Sequence, residues 1–180
     1  MERSRLVFSG SGGQGVITAA IVLAEAAVLH DDLIAVQTQA YGAAARGGAT
    51  RSDVVISDSK INFPKVIQPN VLVCLTQEAY NKFSSIIRPG GLLITDTRFV
   101  VTQRKVDARQ IELPIYQTVM DKLGKPIVFN ICMLGTVIGL TDLVRAQSIL
   151  EVLKTRIPAA FVDMNQDALQ LGVDLVASFK

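Results

Sequence analysis

Histidine occurs once and cysteine twice in the 180 residues, and those scarcities remove whole classes of chemistry. Cys74 and Cys132 each sit inside an apolar stretch and form no C-x-x-C pair, so they read as small buried hydrophobes rather than metal or redox ligands. His30 ends a helix-like run, and no serine lies in a G-x-S-x-G frame, so a serine-hydrolase triad lacks its parts. No cluster of histidine, cysteine and carboxylate has ligand spacing, which argues against a metal site. An excess of one charge is also missing: 18 basic residues against 16 acidic ones leave +2, without the basic field that nucleic-acid backbones demand. The longest apolar run, PIVFNICMLGTVIGL, is broken by Asn130 and too short to span a bilayer, and MERSRLVF lacks the layout of a signal peptide. A cytoplasmic protein with neither nucleic-acid nor membrane partners is expected. No repeat, low-complexity tract or linker divides the chain, so residues 1–180 read as a single domain, and 49% hydrophobic residues suffice for one core.

What the chain does have is alternation of strand-like and helix-like runs. SRLVFSG ends in glycine and is followed by VITAAIVLAEAAVLH, apolar nearly all round and long enough for a helix; LIAVQTQA then reads as a second strand. Strand, glycine turn, helix and strand predict a crossover unit in a parallel sheet. RSDVVIS and KINF flank Asp58-Ser59 and predict a β-hairpin, stopped by Pro64. NVLVCLT suits a strand covered on both faces; QEAYNKFSSII suits a helix, and LLITD a strand after Pro89-Gly90-Gly91. A weaker strand at RQIELP and helices from Ile115, Phe129, Asp142 and Met164 close the chain, with Leu143, Ala146, Ile149, Leu150 and Leu153 marking one buried helical face.

Two loops stand out. FSGSGGQGVITAA carries G-x-G-x-x-G at Gly10, Gly12 and Gly15. A glycine loop entering a helix offers free amides and the positive end of a helix dipole to a phosphate, and equally allows a tight turn with close helix-to-strand packing. Dinucleotide binding further requires an acid at the end of the second strand, where this chain has Gln37, Thr38 and Gln39. A Walker motif requires Lys and Ser or Thr after its last glycine, and here Val16 and Ile17 follow Gly15. The second loop, QAYGAAARGGATRSD, places Tyr41, small residues, Arg46, Gly47 and Gly48 directly after a strand. Small residues bury little, whereas Tyr and Arg are favoured contact anchors, so this is read as an interface loop. Both loops follow strands at one sheet edge and should lie side by side.

At these residues the sequence resembles the gamma subunit, or gamma domain, of 2-oxoacid:ferredoxin oxidoreductases. GSGGQGVITAAIVLAEAA is similar to that family's G-x-G-G-Q-G-x-x-T opening, and QAYGAAARGGATRSDVVIS to its Y-G-x-x-x-R-G-G segment. One departure is Ala44 and Ala45 ahead of Arg46, where relatives often carry an acid, which removes charge pairing within the loop. The resemblance implies an α/β, Rossmann-like three-layer fold with a mostly parallel sheet, a β-hairpin insertion and C-terminal helices. It implies a complex that oxidatively decarboxylates a 2-oxoacid to acyl-CoA, with coenzyme A as co-substrate and ferredoxin as electron acceptor. Thiamine diphosphate, Mg2+ and iron–sulfur clusters would sit on thiamine-binding and ferredoxin-like partner subunits. This chain has no G-D-G segment for diphosphate and magnesium, and two cysteines cannot hold a four-cysteine cluster. It would bind no cofactor and have no catalytic or metal-binding residue of its own, and would be inactive in isolation. Gly10, Gly12, Gly13, Gln14 and Gly15 become a loop for a coenzyme A phosphate, and Tyr41, Arg46, Gly47 and Gly48 a subunit interface. NICMLGTVIGLTDL and the chain length favour the 2-oxoglutarate branch over the pyruvate, ketoisovalerate and indolepyruvate branches. The alternatives are a stand-alone Rossmann-like nucleotide-binding module and a scaffold that touches no ligand.

Overall fold

A computed structural model describes residues 3–40, 48–103 and 105–179. The strands are β1 (Ser4–Gly10), β2 (Ile34–Ala40), β3 (Thr50–Ser57), β4 (Val71–Cys74), β5 (Gly91–Asp96) and β6 (Ala108–Leu113). The helices are α1 (Val16–His30), α2 (Gln77–Phe83), α3 (Ile115–Lys122), α4 (Phe129–Thr141), α5 (Ala146–Arg156) and α6 (Val162–Leu175). One six-stranded sheet has the order β2-β3-β1-β4-β5-β6. β1, β4, β5 and β6 pair in parallel, while β3 runs antiparallel to both of its neighbours, β1 and β2.

The crossover expected from the opening of the chain is therefore split. β1 and β2 do run the same way, but β3 is inserted between them, with Gly10 opposite Thr50 and Gln37 opposite Val54. That insertion also explains why no hairpin forms at Asp58-Ser59. Both edges of β3 are already hydrogen-bonded, so Lys60–Phe63 has no free edge to join and forms no strand. The antiparallel pair is instead β2 with β3, joined through residues 41–49.

Side chains alternate across the sheet and feed two cores. Val71 and Val73 of β4 point into a large core with α1, α3, α4, α5 and α6, while Leu72 and Cys74 point into a smaller one beneath α2. A strand sandwiched in this way must be apolar at every position, as VLVC is. α2 begins where Thr76 Oγ1 accepts from the Ala79 amide at 3.1 Å. α4 is buried from Phe129 through Gly139 at all but Asn130, because α6 lies against it. Glycines set that approach: a Cβ on Gly135 would stand 2.2 Å from the Leu169 carbonyl oxygen, and one on Gly172 2.0 Å from that of Cys132. α4 ends at Asp142 in the left-handed conformation, so α5 starts at Ala146 rather than Asp142. Ile149 and Leu153 are buried and Leu143, Ala146 and Leu150 partly so, as their spacing predicts. α5 is capped from elsewhere: Asp31, after α1, accepts from the Arg145 amide at 2.9 Å and the Ser148 hydroxyl at 2.6 Å. No described helix is long and apolar enough to cross a membrane.

Candidate functional site

β1 delivers the chain to Ser11–Gly15 at the carboxyl edge of the sheet, and the loop there is tied down by one side chain. Gln14 Oε1 accepts from the Ser11 amide at 2.8 Å, and Gln14 Nε2 donates to the Leu75 carbonyl at 3.1 Å. The Leu75 amide in turn donates to the Ser9 carbonyl at 2.9 Å, so the exits of β1 and β4 hold the loop together. The left-handed conformations fall at Gly13 (φ 89°) and Gly15 (φ 73°), not at Gly12. Gly15 caps α1 without a side chain, and the first helical bond runs from the Ala19 amide to the Gly15 carbonyl.

The glycines divide by what surrounds them. A Cβ on Gly10 would meet Gln14 Oε1 at 2.5 Å, and one on Gly15 would meet Asn130 Nδ2 at 2.6 Å, so these two serve close packing. Gly12 and Gly13 have nothing within 4 Å of such a Cβ. The loop is thus pinned at both ends and bare at its apex.

Gly13, Gln14, Gly15 and Thr18 form one wall of a cavity of about 680 Å³, within the usual range for small-molecule sites. An aromatic triad lines it as well: Phe99, Tyr116 and Phe129 meet edge to face, with centroids 5.2, 6.0 and 5.7 Å apart. Asp96 positions the triad by accepting from the Arg98 amide at 2.8 Å and the Tyr116 amide at 2.7 Å. Burial pushes the Asp96 carboxyl above its ordinary value, against the pull of those amides. Arg98 lies over the Tyr116 ring at 4.8 Å. Arg156 reaches the cavity but is paired with Glu25, and that hydrogen-bonded pairing holds the Glu25 carboxyl below its ordinary range. Ile127 and Phe161 stand exposed at the rim, 78% and 50% accessible.

Of the residues singled out in the sequence, Gly13, Gln14 and Gly15 share the cavity, Gly10 lies beneath them, and Gly12 is exposed. Gly48 comes to the same sheet edge, two residues before Thr50, which pairs with Gly10. Tyr41, Arg46 and Gly47 lie outside the described residues. Sequence reasoning missed the triad and Asn130. Asn130 looked only like a break in an apolar run, yet its Nδ2 donates to the Gly15 carbonyl at 3.4 Å. Cys74 and Cys132 are buried on opposite sides of the sheet, and burial pushes both thiols up to about 12, so they cannot jointly hold a cluster. Among the described residues no group of three or more His, Cys, Asp or Glu could hold a metal ion.

Residues 5–175 match the family model described as pyruvate ferredoxin/flavodoxin oxidoreductase. The chain is 41% identical over 175 residues to 2-oxoglutarate synthase subunit KorC of Methanocaldococcus jannaschii, covering 96% of this chain and 94% of that one. Among solved structures, a keto/oxoacid ferredoxin oxidoreductase gamma subunit from Geobacter sulfurreducens superposes with TM-score 0.90 at 36% identity, covering 99% and 98% of the two chains. A 2-oxoglutarate:ferredoxin oxidoreductase from Magnetococcus marinus, with 2-oxoglutarate, coenzyme A and succinyl-CoA bound, has the same fold in 32% of its chain (TM-score 0.87, 20% identity). The chain therefore belongs to the pyruvate ferredoxin/flavodoxin oxidoreductase family, as one of its gamma subunits.

Proposed function

We propose that residues 1–180 act as one gamma-subunit domain of a cytoplasmic 2-oxoglutarate:ferredoxin oxidoreductase, and that the apex of the glycine loop faces the side of the assembly that receives coenzyme A. The observation that carries the reading is the division among the glycines. Gly10, Gln14 and Gly15 are engaged in holding the loop, while Gly12 and Gly13 present bare backbone at the positive end of α1. Backbone amides so held can receive a phosphate without a lysine. The 2-oxoglutarate assignment is supported by the 41% identity to the KorC subunit over nearly its whole length. Carbanion and electron-transfer chemistry then belong to thiamine-binding and ferredoxin-like partner subunits, with ferredoxin as acceptor. Tyr41, Arg46, Gly47 and Gly48 are assigned to the contact with those partners.

Gly12→Val tests the loop in the assembled enzyme. The position needs no positive φ and has open space around it, so the fold should be unchanged and any effect belongs to the ligand. A raised KM for coenzyme A with kcat nearly constant is expected, the signature of lost uniform binding. Wild-type coenzyme A kinetics would leave the loop as a packing device, the second reading that the clashes at Gly10 and Gly15 favour. Titrating the full chain with NAD, FAD and ATP should show no tight binding; tight binding of any of them would support a stand-alone nucleotide module instead.

A further inference from the structure

The cavity beside the glycine loop contains a buried polar group that the protein leaves unsatisfied. Asn165 on α6 lines the cavity and is only 8% accessible, and its Nδ2 donates to the Phe161 carbonyl at 2.8 Å. Its Oδ1 accepts from nothing among the described residues, although a buried amide carbonyl without a donor is costly. Asn130 repeats the pattern on α4: Nδ2 donates to the Gly15 carbonyl at 3.4 Å, and Oδ1 has no donor among the described residues. The hydroxyl of Tyr116, a third lining residue, is likewise without a hydrogen-bond partner among them.

Around these groups the lining is mostly apolar, with Leu153 and Met164 joining the aromatic triad. Arg156 is the one charged side chain among the described lining residues, and Glu25 already neutralises it. A flat, neutral ligand portion with hydrogen-bond donors matches such a lining; an anionic portion does not. An adenine ring has the required groups. Its amine can donate to an asparagine carbonyl while a ring nitrogen accepts from the amide hydrogen, the pairing by which asparagine reads adenine.

We propose that this cavity is the adenine site for coenzyme A. The inference rests on the reading that a phosphate is received at the apex of the glycine loop, and it gives that site a second half. Gly13 belongs to both halves, being bare at the apex and part of the cavity lining, so a phosphate and a ring placed there are neighbours, as they are in one nucleotide. The direction of the ligand follows from its chemistry. The thiol has to reach an acyl group formed on a partner subunit, so the pantetheine arm leaves this chain and the adenosine end stays. No carboxylate for ribose hydroxyls and no lysine for phosphates stands among the described lining residues, so the ring alone is held weakly, and free NAD, FAD or ATP gains little from it.

Steady-state kinetics of the enzyme assembled with its partner subunits test this, using coenzyme A and phosphopantetheine, which keeps the thiol and a phosphate but lacks the adenosine. In the wild type the KM for phosphopantetheine should be at least about tenfold higher, and adenosine bisphosphate without the pantetheine arm should compete with coenzyme A. Asn165→Leu removes the buried acceptor and should raise the KM for coenzyme A about fivefold, the loss of one hydrogen bond. Met164→Trp fills the cavity and should raise it further. Neither substitution should move the KM for phosphopantetheine, the kcat with either acceptor, or co-purification with the partners. Equal rises for both acceptors, or a rise for neither, overturn the proposal. So does a wild type that uses phosphopantetheine as well as coenzyme A, a comparison that needs no variant to fold. Gly12→Val tells this failure from failure of the loop, because a loop that holds phosphate raises both KM values when it is blocked, whatever the cavity does.

Discussion

Replacing Gly135 by alanine should destabilise the protein although alanine is the better helix former. In an ordinary helix the change is worth about 1 kcal/mol in favour of alanine. Here the new Cβ would meet the Leu169 carbonyl oxygen at 2.2 Å and Gly172 Cα at 3.0 Å. A carbon–oxygen contact settles at about 3.3–3.6 Å, and the obstacle is helix backbone, which cannot rotate aside, so α4 and α6 must part by about 1 Å. Overpacking of that kind costs about 1–3 kcal/mol. Set against the helix-propensity gain, a net loss of about 1 kcal/mol remains, so a domain of this size should melt about 2–4 °C lower, and the urea midpoint should fall with little change in slope. Gly172→Ala should behave alike, since its Cβ would stand 2.0 Å from the Cys132 carbonyl oxygen. Combined, the two should cost less than their sum, because one alanine has already opened the crossing for the other. Gly12→Ala, in open space, is the control and should leave the midpoint where it is. A rise in stability for Gly135→Ala would refute the close crossing and with it the account of why α4 is apolar all round.

Thr76→Ala removes the cap of α2 and should cost about 1 kcal/mol in urea unfolding; no change would mean that solvent satisfies the Ala79 amide equally well. Asp31 supplies a pH test: burial alone would raise its carboxyl, but the Ser148 hydroxyl and the Arg145 amide and guanidinium together bring it below 3.8. Its contribution is therefore complete above about pH 4 and lost as pH falls through the lower folded value, so the stability gap between wild type and Asp31→Asn should narrow in acid, and a gap that widens would reverse the sign. Arg156→Ala should change stability by about 1 kcal/mol or less, and by less still at high salt, because the pair with Glu25 is more than a third exposed; a large salt-independent loss would show the side chain to be a packing element. Arg46→Ala should weaken co-purification with partner subunits by about 2 kcal/mol, some thirtyfold, if the arginine is an interface anchor, and full retention of the partners would remove that assignment.

The sequence was most readable where one physical signal decided the outcome. β1, α1 and β4 appear where apolar patterning places them, and the glycine loop lies at the strand-to-helix junction its spacing announces. What patterning could not supply was partner choice. RSDVVIS is a strand by any local criterion, but which strands flank it depends on a sheet assembled from distant segments, so the hairpin was placed on the wrong side of it. The cavity was hidden for the same reason. Phe99, Tyr116 and Phe129 follow no common period, and they meet only because Asp96 and α4 bring three segments together. Gly135 and Gly172 carried a local signal that went unread: glycines inside apolar helical runs mark close approach as readily as they mark a helix end.

The strand inserted between β1 and β2 changes what the missing acid at Gln37–Gln39 means. In a dinucleotide-binding unit the second strand lies beside the first, and its terminal carboxylate stands within reach of a ribose seated over the glycine turn. Here β2 is removed from β1 by two strand spacings, about 10 Å. A carboxylate restored at Gln39 would hang over the outer border of the sheet, out of reach of anything resting on Gly12 and Gly13. The route back to nicotinamide chemistry is therefore closed by topology and not by one lost side chain, and the ground a ribose would have occupied is bordered instead by β3.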